Sequence, residues 1–215
     1  GENIKILIDG VPVIGRLNGG IDLSQIDLSN IDRVEIIEGP MSVEYGTDAL
    51  AGTINFISKD KSYDTFNVSI GNKYESTGQY SQTINNYIQN SSGKIAINAS
   101  RLYFDGWSPG DNRIDWINNY YADSGRVNLW KPKLQHTFGV KGWYTLNNWT
   151  INPSLGMFNE KLINKGYPRA PYGEIAFDEH YLTRRYNSSI TFNHYNSNLK
   201  DLEVLFSLNT FRRYK

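Results

Sequence analysis

From residue 65 onward the chain alternates between two kinds of side chain with a period of two. In 65–74, Phe66, Val68, Ile70 and Tyr74 share one face, and Thr65, Asn67, Ser69, Gly71 and Lys73 the other. In 134–146, Leu134, His136, Phe138, Val140, Tyr144 and Leu146 oppose Gln135, Thr137, Lys141, Trp143 and Thr145. The same pattern runs through 180–195 and 201–215, and more weakly through 78–90, 94–104 and 150–162. A period of two marks β-strands. These seven runs are long for a soluble protein, where strands average about 5–6 residues, and they match the roughly 9–11 residues that cross a bilayer at a tilt. Short connections fall near 75–77, 91–93, 147–149 and 196–200, and long ones at 105–133 and 163–179. Short turns at one end and long loops at the other are the asymmetry of an outer-membrane barrel. The first hairpin departs from it, both its connections being short. A soluble β-sandwich also alternates, so the pattern alone leaves that fold open.

Composition narrows the choice. Lys+Arg and Asp+Glu balance at 22 each, which removes the electrostatic argument for nucleic acid. No run approaches the roughly 18 apolar residues of a spanning helix. With no cysteine, disulfides, thiolate metal sites and Cys nucleophiles are excluded. The aromatic residues are unevenly spread. Residues 1–59 hold only Tyr45 and Phe56, and all other Tyr, Phe and Trp lie beyond residue 60. The expected division is therefore 1–59 and 60–215.

Residues 1–59 read as Ile4–Ile8 (strand), Asp9-Gly10 (tight turn) and Val11–Ile14. Further on come a strand at Arg33–Ile37, a Gly39-Pro40 break and one helical turn at Met41–Tyr45. A Gly-flanked loop, Gly46–Gly52, leads to a last strand, Thr53–Ser58. The run Leu7-Ile8-Asp9-Gly10-Val11-Pro12, with Arg33, Glu35, Gly39, Pro40, Tyr45, Gly46, Ala49, Gly52, Ile54 and Asn55, resembles the C-terminal half of the plug domain of TonB-dependent outer-membrane receptors. Many relatives carry a basic residue before Gly-Pro, where this chain has Glu38. The resemblance is specific over residues 4–58 and architectural beyond them.

The resemblance implies an all-β-dominated chain: a partial transmembrane antiparallel β-barrel of about seven strands, with a small mixed α/β plug at its N-terminus. Family barrels have about 22 strands, and an open sheet in lipid leaves backbone groups unpaired. The chain therefore reads as a middle piece of a larger receptor. The implied setting is the bacterial outer membrane. The implied partners are outer-membrane lipid, the rest of the barrel, other outer-membrane subunits, and the TonB energy-coupling complex through a segment not in this chain. Phe66, Val68, Phe138, Val140, Val204 and Phe206 are expected to face lipid. Arg33 and Glu35, two apart on one strand, point to the same side, to pair with each other or with charges on the barrel wall as a lock inside the lumen; the alternative is a solvated pair of small worth.

The long loops hold the candidate ligand contacts: Trp107, Arg113, Trp116, Tyr120 and Tyr121 in the first, Arg169 and Tyr172 in the second. Aromatic and Arg side chains on outer loops are common anchors for binding. The alternative is an interfacial aromatic girdle; Trp130, beside Lys131-Pro132-Lys133, leans toward girdle or loop structure. The loop aspartates Asp105, Asp111, Asp115 and Asp123 fit no EF-hand spacing, and calcium is the minor reading. His136, His180 and His194 show no metal spacing, and neither a cofactor nor catalytic residues are expected. The implied activity is energy-coupled uptake of a scarce ligand: an iron chelate, cobalamin or a glycan. The alternative is a non-transporting structural subunit of an outer-membrane assembly.

Overall fold

A computed structural model describes residues 4–15, 20–39, 52–59, 65–109, 128–166, 178–194 and 202–215. Strands β1 (Ile4–Ile8), β2 (Val11–Pro12), β3 (Ile31–Glu38) and β4 (Gly52–Ser58) form one sheet in the order β2-β1-β4-β3. β1 and β2 are a hairpin whose turn residues Asp9 and Gly10 both have positive φ, 50° and 78°. β4 inserts between β1 and β3, parallel to the first and antiparallel to the second. Ile6, Val13, Ile26 and Phe56 form the core of this unit, with Ile4, Ile8, Ile21, Ile31 and Ile54 around them. Two single-turn 3-10 helices, Leu23–Gln25 and Leu28–Asn30, carry the chain from β2 to β3. Asp22 and Asp27 cap them by accepting from Ser24 N and Ser29 N, each at 2.9 Å. The helical turn expected at 41–45 lies outside the described residues.

The seven long strands are β5 (Phe66–Glu75), β6 (Gln79–Gln89), β7 (Gly93–Phe104), β8 (Lys133–Leu146), β9 (Trp149–Asn164), β10 (Glu179–His194) and β11 (Leu202–Tyr214). They form one antiparallel meander in sequence order. Each lies within two residues of its expected bounds. β9 and β10 reach 16 residues, about 50 Å of strand, so they run past the bilayer toward the long loops. Pro153 sits inside β9, where it lacks an N–H, and the β8–β9 pairing skips from Lys141↔Ser154 to Tyr144↔Ile151.

The two faces of the meander are inverted relative to a soluble protein. Asn85, Gln135, Glu160, Thr183 and Arg185 are buried, on the side that meets the N-terminal unit. On the opposite side Ile70 is 70% exposed, Leu208 72%, Phe66 62%, Phe206 61% and Leu155 58%. A soluble sandwich would bury this second face, and monomers in water rarely leave so large an apolar patch open. The fold is a partial transmembrane barrel with strands, not helices, as the crossing elements. Phe66, Val68, Phe138, Val140, Val204 and Phe206 all lie on the outward face.

Gly52 opens β4 at φ +145°, and a Cβ there would stand 2.6 Å from the Ile37 carbonyl oxygen. Both the dihedral and the contact exclude a branched side chain. Gly52→Val should destabilise the N-terminal unit by about 1–3 kcal/mol, lowering the urea midpoint at which a protease first cuts it in the full-length protein.

Candidate functional site

The chemistry concentrates where the N-terminal unit meets the inner face of β8–β11. Arg185, 3% exposed, lies between Phe158 and Phe211, its guanidinium carbon 5.5 and 5.7 Å from their ring centres. The register makes these rings its direct cross-strand neighbours. Its Nε donates to the Ile14 carbonyl at 3.0 Å, and a terminal nitrogen donates to Gln25 Oε1 at 2.8 Å. Gln25 Nε2 then donates to Glu160 Oε1 at 2.9 Å. Only one orientation of the Gln25 amide serves both charges, oxygen to guanidinium and nitrogen to carboxylate. Gln135 Nε2 completes the cluster, donating to Glu160 Oε2 at 2.7 Å and to the Ser24 carbonyl at 3.1 Å. A buried cation and a buried anion are thus joined through the side chain of a 3-10 turn. Gly15 lies against the same ring: a Cβ there would be 2.3 Å from Phe211.

A second cluster lies at the β1–β2 turn. Lys141 Nζ is 2.9 Å from Asp9 Oδ2 and 3.0 Å from Ser58 Oγ. Asp9 also accepts from Ser58 N at 2.9 Å and Ser58 Oγ at 2.6 Å. Tyr87 OH on β6 donates to Asn30 Oδ1 at 3.3 Å. Between unit and wall is a gap of about 400 Å³, with Asn98, Thr137, Asn152, Ser154, Asn187 and Ser189 on the wall side. The unit side adds Ile8, Val11, Val13 and Ile26, so polar and apolar groups line the gap in about equal measure.

Of the motif residues, Asp9 is the anchor of the second cluster. Asn55 is buried and accepts from Gly10 N at 3.1 Å, which ties β4 to the turn. Arg33 and Glu35 pair with each other at 2.8 Å on the exposed side of β3, with Asp32 3.4 Å from Arg33. These contacts, the Glu35 hydrogen bond first, raise the Arg33 pKa above its ordinary value. Gly39 adopts φ +100°. Pro40, Tyr45 and Gly46 lie outside the described residues, as do the loop candidates Arg113, Trp116, Tyr120, Tyr121, Arg169 and Tyr172. Trp107 is described, and it closes the base of the first long loop. It exchanges two backbone hydrogen bonds with Trp130, at 3.0 and 2.9 Å, and the ring centres are 4.9 Å apart. Gln25, Gln135, Lys141, Glu160 and Arg185 were not singled out from sequence. For the four on β8–β10 the signal was positional, polar residues on the strand face opposite the apolar one; Gln25, on a 3-10 turn, carried no such signal.

The arrangement defines a class: a transmembrane β-barrel segment with a small unit docked on its polar inner face. Comparison with known proteins agrees. Residues 1–53 match the family described as the TonB-dependent receptor plug domain. A vitamin B12 transporter of Vibrio cholerae is 34% identical over 61 residues, 28% of this chain and 10% of that protein. Among solved structures, a siderophore receptor from Acinetobacter baumannii superposes with a TM-score of 0.74 at 14% identity, over 99% of this chain and 32% of its own. A ferric enterobactin receptor from Pseudomonas aeruginosa gives 0.74 at 15%, over 99% and 34%. A copper transporter gives 0.71 at 18%, over 97% and 29%. The chain matches the plug-domain family of TonB-dependent receptors over residues 1–53, and its fold throughout is that of a segment of such receptors. It spans about a tenth of the curated relatives it matches and about a third of these solved receptors.

Removing one partner from a buried charge pair commonly costs about 3–5 kcal/mol, because the other charge is left without compensation. Arg185→Met in the full-length receptor should therefore loosen the plug and raise its protease sensitivity. Arg185→Met combined with Glu160→Gln should restore part of the loss. An additive double variant would show that the two charges are not coupled through Gln25.

Proposed function

We propose that residues 1–59 are the C-terminal half of the plug and residues 60–215 the first strands of the barrel of an energy-coupled outer-membrane transporter. The observation that carries this reading is how the plug is held. The wall contacts named above are hydrogen bonds and ion pairs beside a gap of about 400 Å³. As the plug is pulled, water can replace these contacts, so the charges of Arg185 and Glu160 are rehydrated rather than left buried and unpaired. The pull would come from the TonB complex, acting through a segment outside this chain.

The ligand would be met at the loop end. Trp107 and Trp130 hold the base of the loop that carries Arg113, Trp116, Tyr120 and Tyr121, and Arg169 and Tyr172 belong to the neighbouring long loop. We assign these residues to ligand capture. The ligand is a scarce one that the cell concentrates: an iron chelate, cobalamin, a metal ion or a glycan. Similar proteins named for vitamin B12, siderophores and copper support that range.

The test is accumulation of radiolabelled cobalamin, ferric siderophore, copper and oligosaccharide by cells expressing the full-length receptor, with and without a functional TonB complex. TonB-dependent accumulation of one ligand is expected. Trp116→Ala with Arg113→Ala should lower its uptake at least about tenfold, as loss of binding anchors does. No accumulation of any of them in either strain would favour the non-transporting structural subunit.

A further inference from the structure

The outward face of the barrel segment carries its charge in one place and of one sign. On the outward positions of β5–β11 there is no Asp or Glu. The Lys and Arg residues there are Arg101, Lys161, Arg184 and Arg212, all toward the loop end. Strand register joins them. Arg101 pairs with His136, His136 with Asn159, Asn159 with Arg184, and Arg184 with Arg212. Lys161 lies one outward position further along β9.

This arrangement is unfavourable by itself. Like charges directly opposite on neighbouring strands repel. Among the described residues Lys161, Arg184 and Arg212 have no ion-pair partner, and all are exposed. In a chain of net charge zero, the carboxylates lie elsewhere, which leaves the cluster open to an anion from outside.

Two depressions say what shape that anion has. A groove of about 340 Å³ is lined by His136, Asn159, Lys161, Arg184 and Tyr186, and by Glu160, whose carboxylate is engaged by Gln25 and Gln135 on the inner side. Further along the same face, toward the short-turn end, an apolar groove of about 260 Å³ is lined by Phe138, Leu155, Met157, Tyr186 and Leu208. Tyr186 borders both. A cationic groove continuing into an apolar one fits a molecule with an anionic head and a hydrocarbon tail.

We propose that this face binds a membrane lipid with a phosphate headgroup, the phosphate held by Lys161, Arg184 and Arg212 and an acyl chain lying over Phe138, Leu155 and Leu208. Arg supplies the planar fork that takes two phosphate oxygens together. The site rests on the barrel fold but not on transport, since it lies outside the lumen.

The test uses the full-length receptor in dodecyl maltoside micelles, with lipid binding read by native mass spectrometry. The probes are dioleoyl phosphatidic acid, dioleoylglycerol and inorganic phosphate. The wild type should prefer the phosphatidic acid over dioleoylglycerol at least about tenfold, as expected for several basic groups near one anionic headgroup. Lys161→Gln/Arg184→Gln/Arg212→Gln should abolish the preference, and Arg184→Lys/Arg212→Lys should keep most of it. Equal preference in wild type and triple-Gln variant would overturn the proposal. So would displacement of the lipid by inorganic phosphate at matched concentration, which would mark an anion site indifferent to the tail. Heat-resistant migration in SDS gels reports the barrel separately. Its loss in the wild type would bring down the barrel and the lipid site together, whereas its retention with no lipid preference would sink the lipid site alone.

Discussion

Arg185 is nearly without solvent, and a lone guanidinium so placed would cost several kcal/mol. It is tolerated because Gln25 relays its charge to Glu160, while Ile14 and two aromatic rings occupy the rest of its surroundings. None of these is optional for the others. Gln25 reaches both charges only because the 3-10 turn begun by Asp22 aims it at the wall. The turn in turn sits where the Ile-rich core of the plug puts it. The inner face of the meander is thus complete only when the plug is against it, and the plug's position is read out by charges on the wall.

The outer face follows from the same inversion. A sheet whose polar side is satisfied by the plug has its apolar side left for lipid. That side needs no partner of its own in a bilayer, because hydrocarbon matches it. What hydrocarbon cannot match is charge, and the outward cations are confined to the loop end. Closely spaced tyrosines occupy the same end: Tyr74, Tyr80 and Tyr103 are register neighbours, with ring centres 4.7 and 6.4 Å apart. At the other end Trp149 packs on His194 at 4.6 Å. Aromatic rings at both ends of an apolar band are the usual marking of the two interfaces.

Much of this was legible from single residues. The alternation of β8 separates Phe138 and Val140 from Gln135 and Lys141, and the structure places them on opposite faces. Asp9-Gly10 announces its turn because few residues accept positive φ. β9 was faint for a physical reason: Pro153 and Gly156 replace the side chains that would carry the pattern. The plug's β1–β4 pairing was invisible because parallel neighbours need no sequence proximity. The contacts of Arg185 were also hidden. Alternation tells that it points away from Tyr186, but its partner Gln25 is 160 residues away in the chain, and an amide side chain advertises nothing in isolation. Arg33 and Glu35 were correctly read as sharing a side, and they choose each other, at the exposed surface of β3.

The most direct test of the account is a scan of nitroxide spin labels along residues 134–146 in the full-length receptor in lipid bilayers. Accessibility to oxygen and to a water-soluble nickel chelate is read at each position. The inverted sheet predicts alternation with a period of two: labels at Phe138 and Val140 collide with oxygen and are shielded from nickel, and labels at Thr137 and Gly139 are shielded from oxygen. Uniform nickel accessibility at Phe138 and Val140 would mean that this face meets water, and the barrel, the plug in its lumen and the outward lipid face would all fail with it.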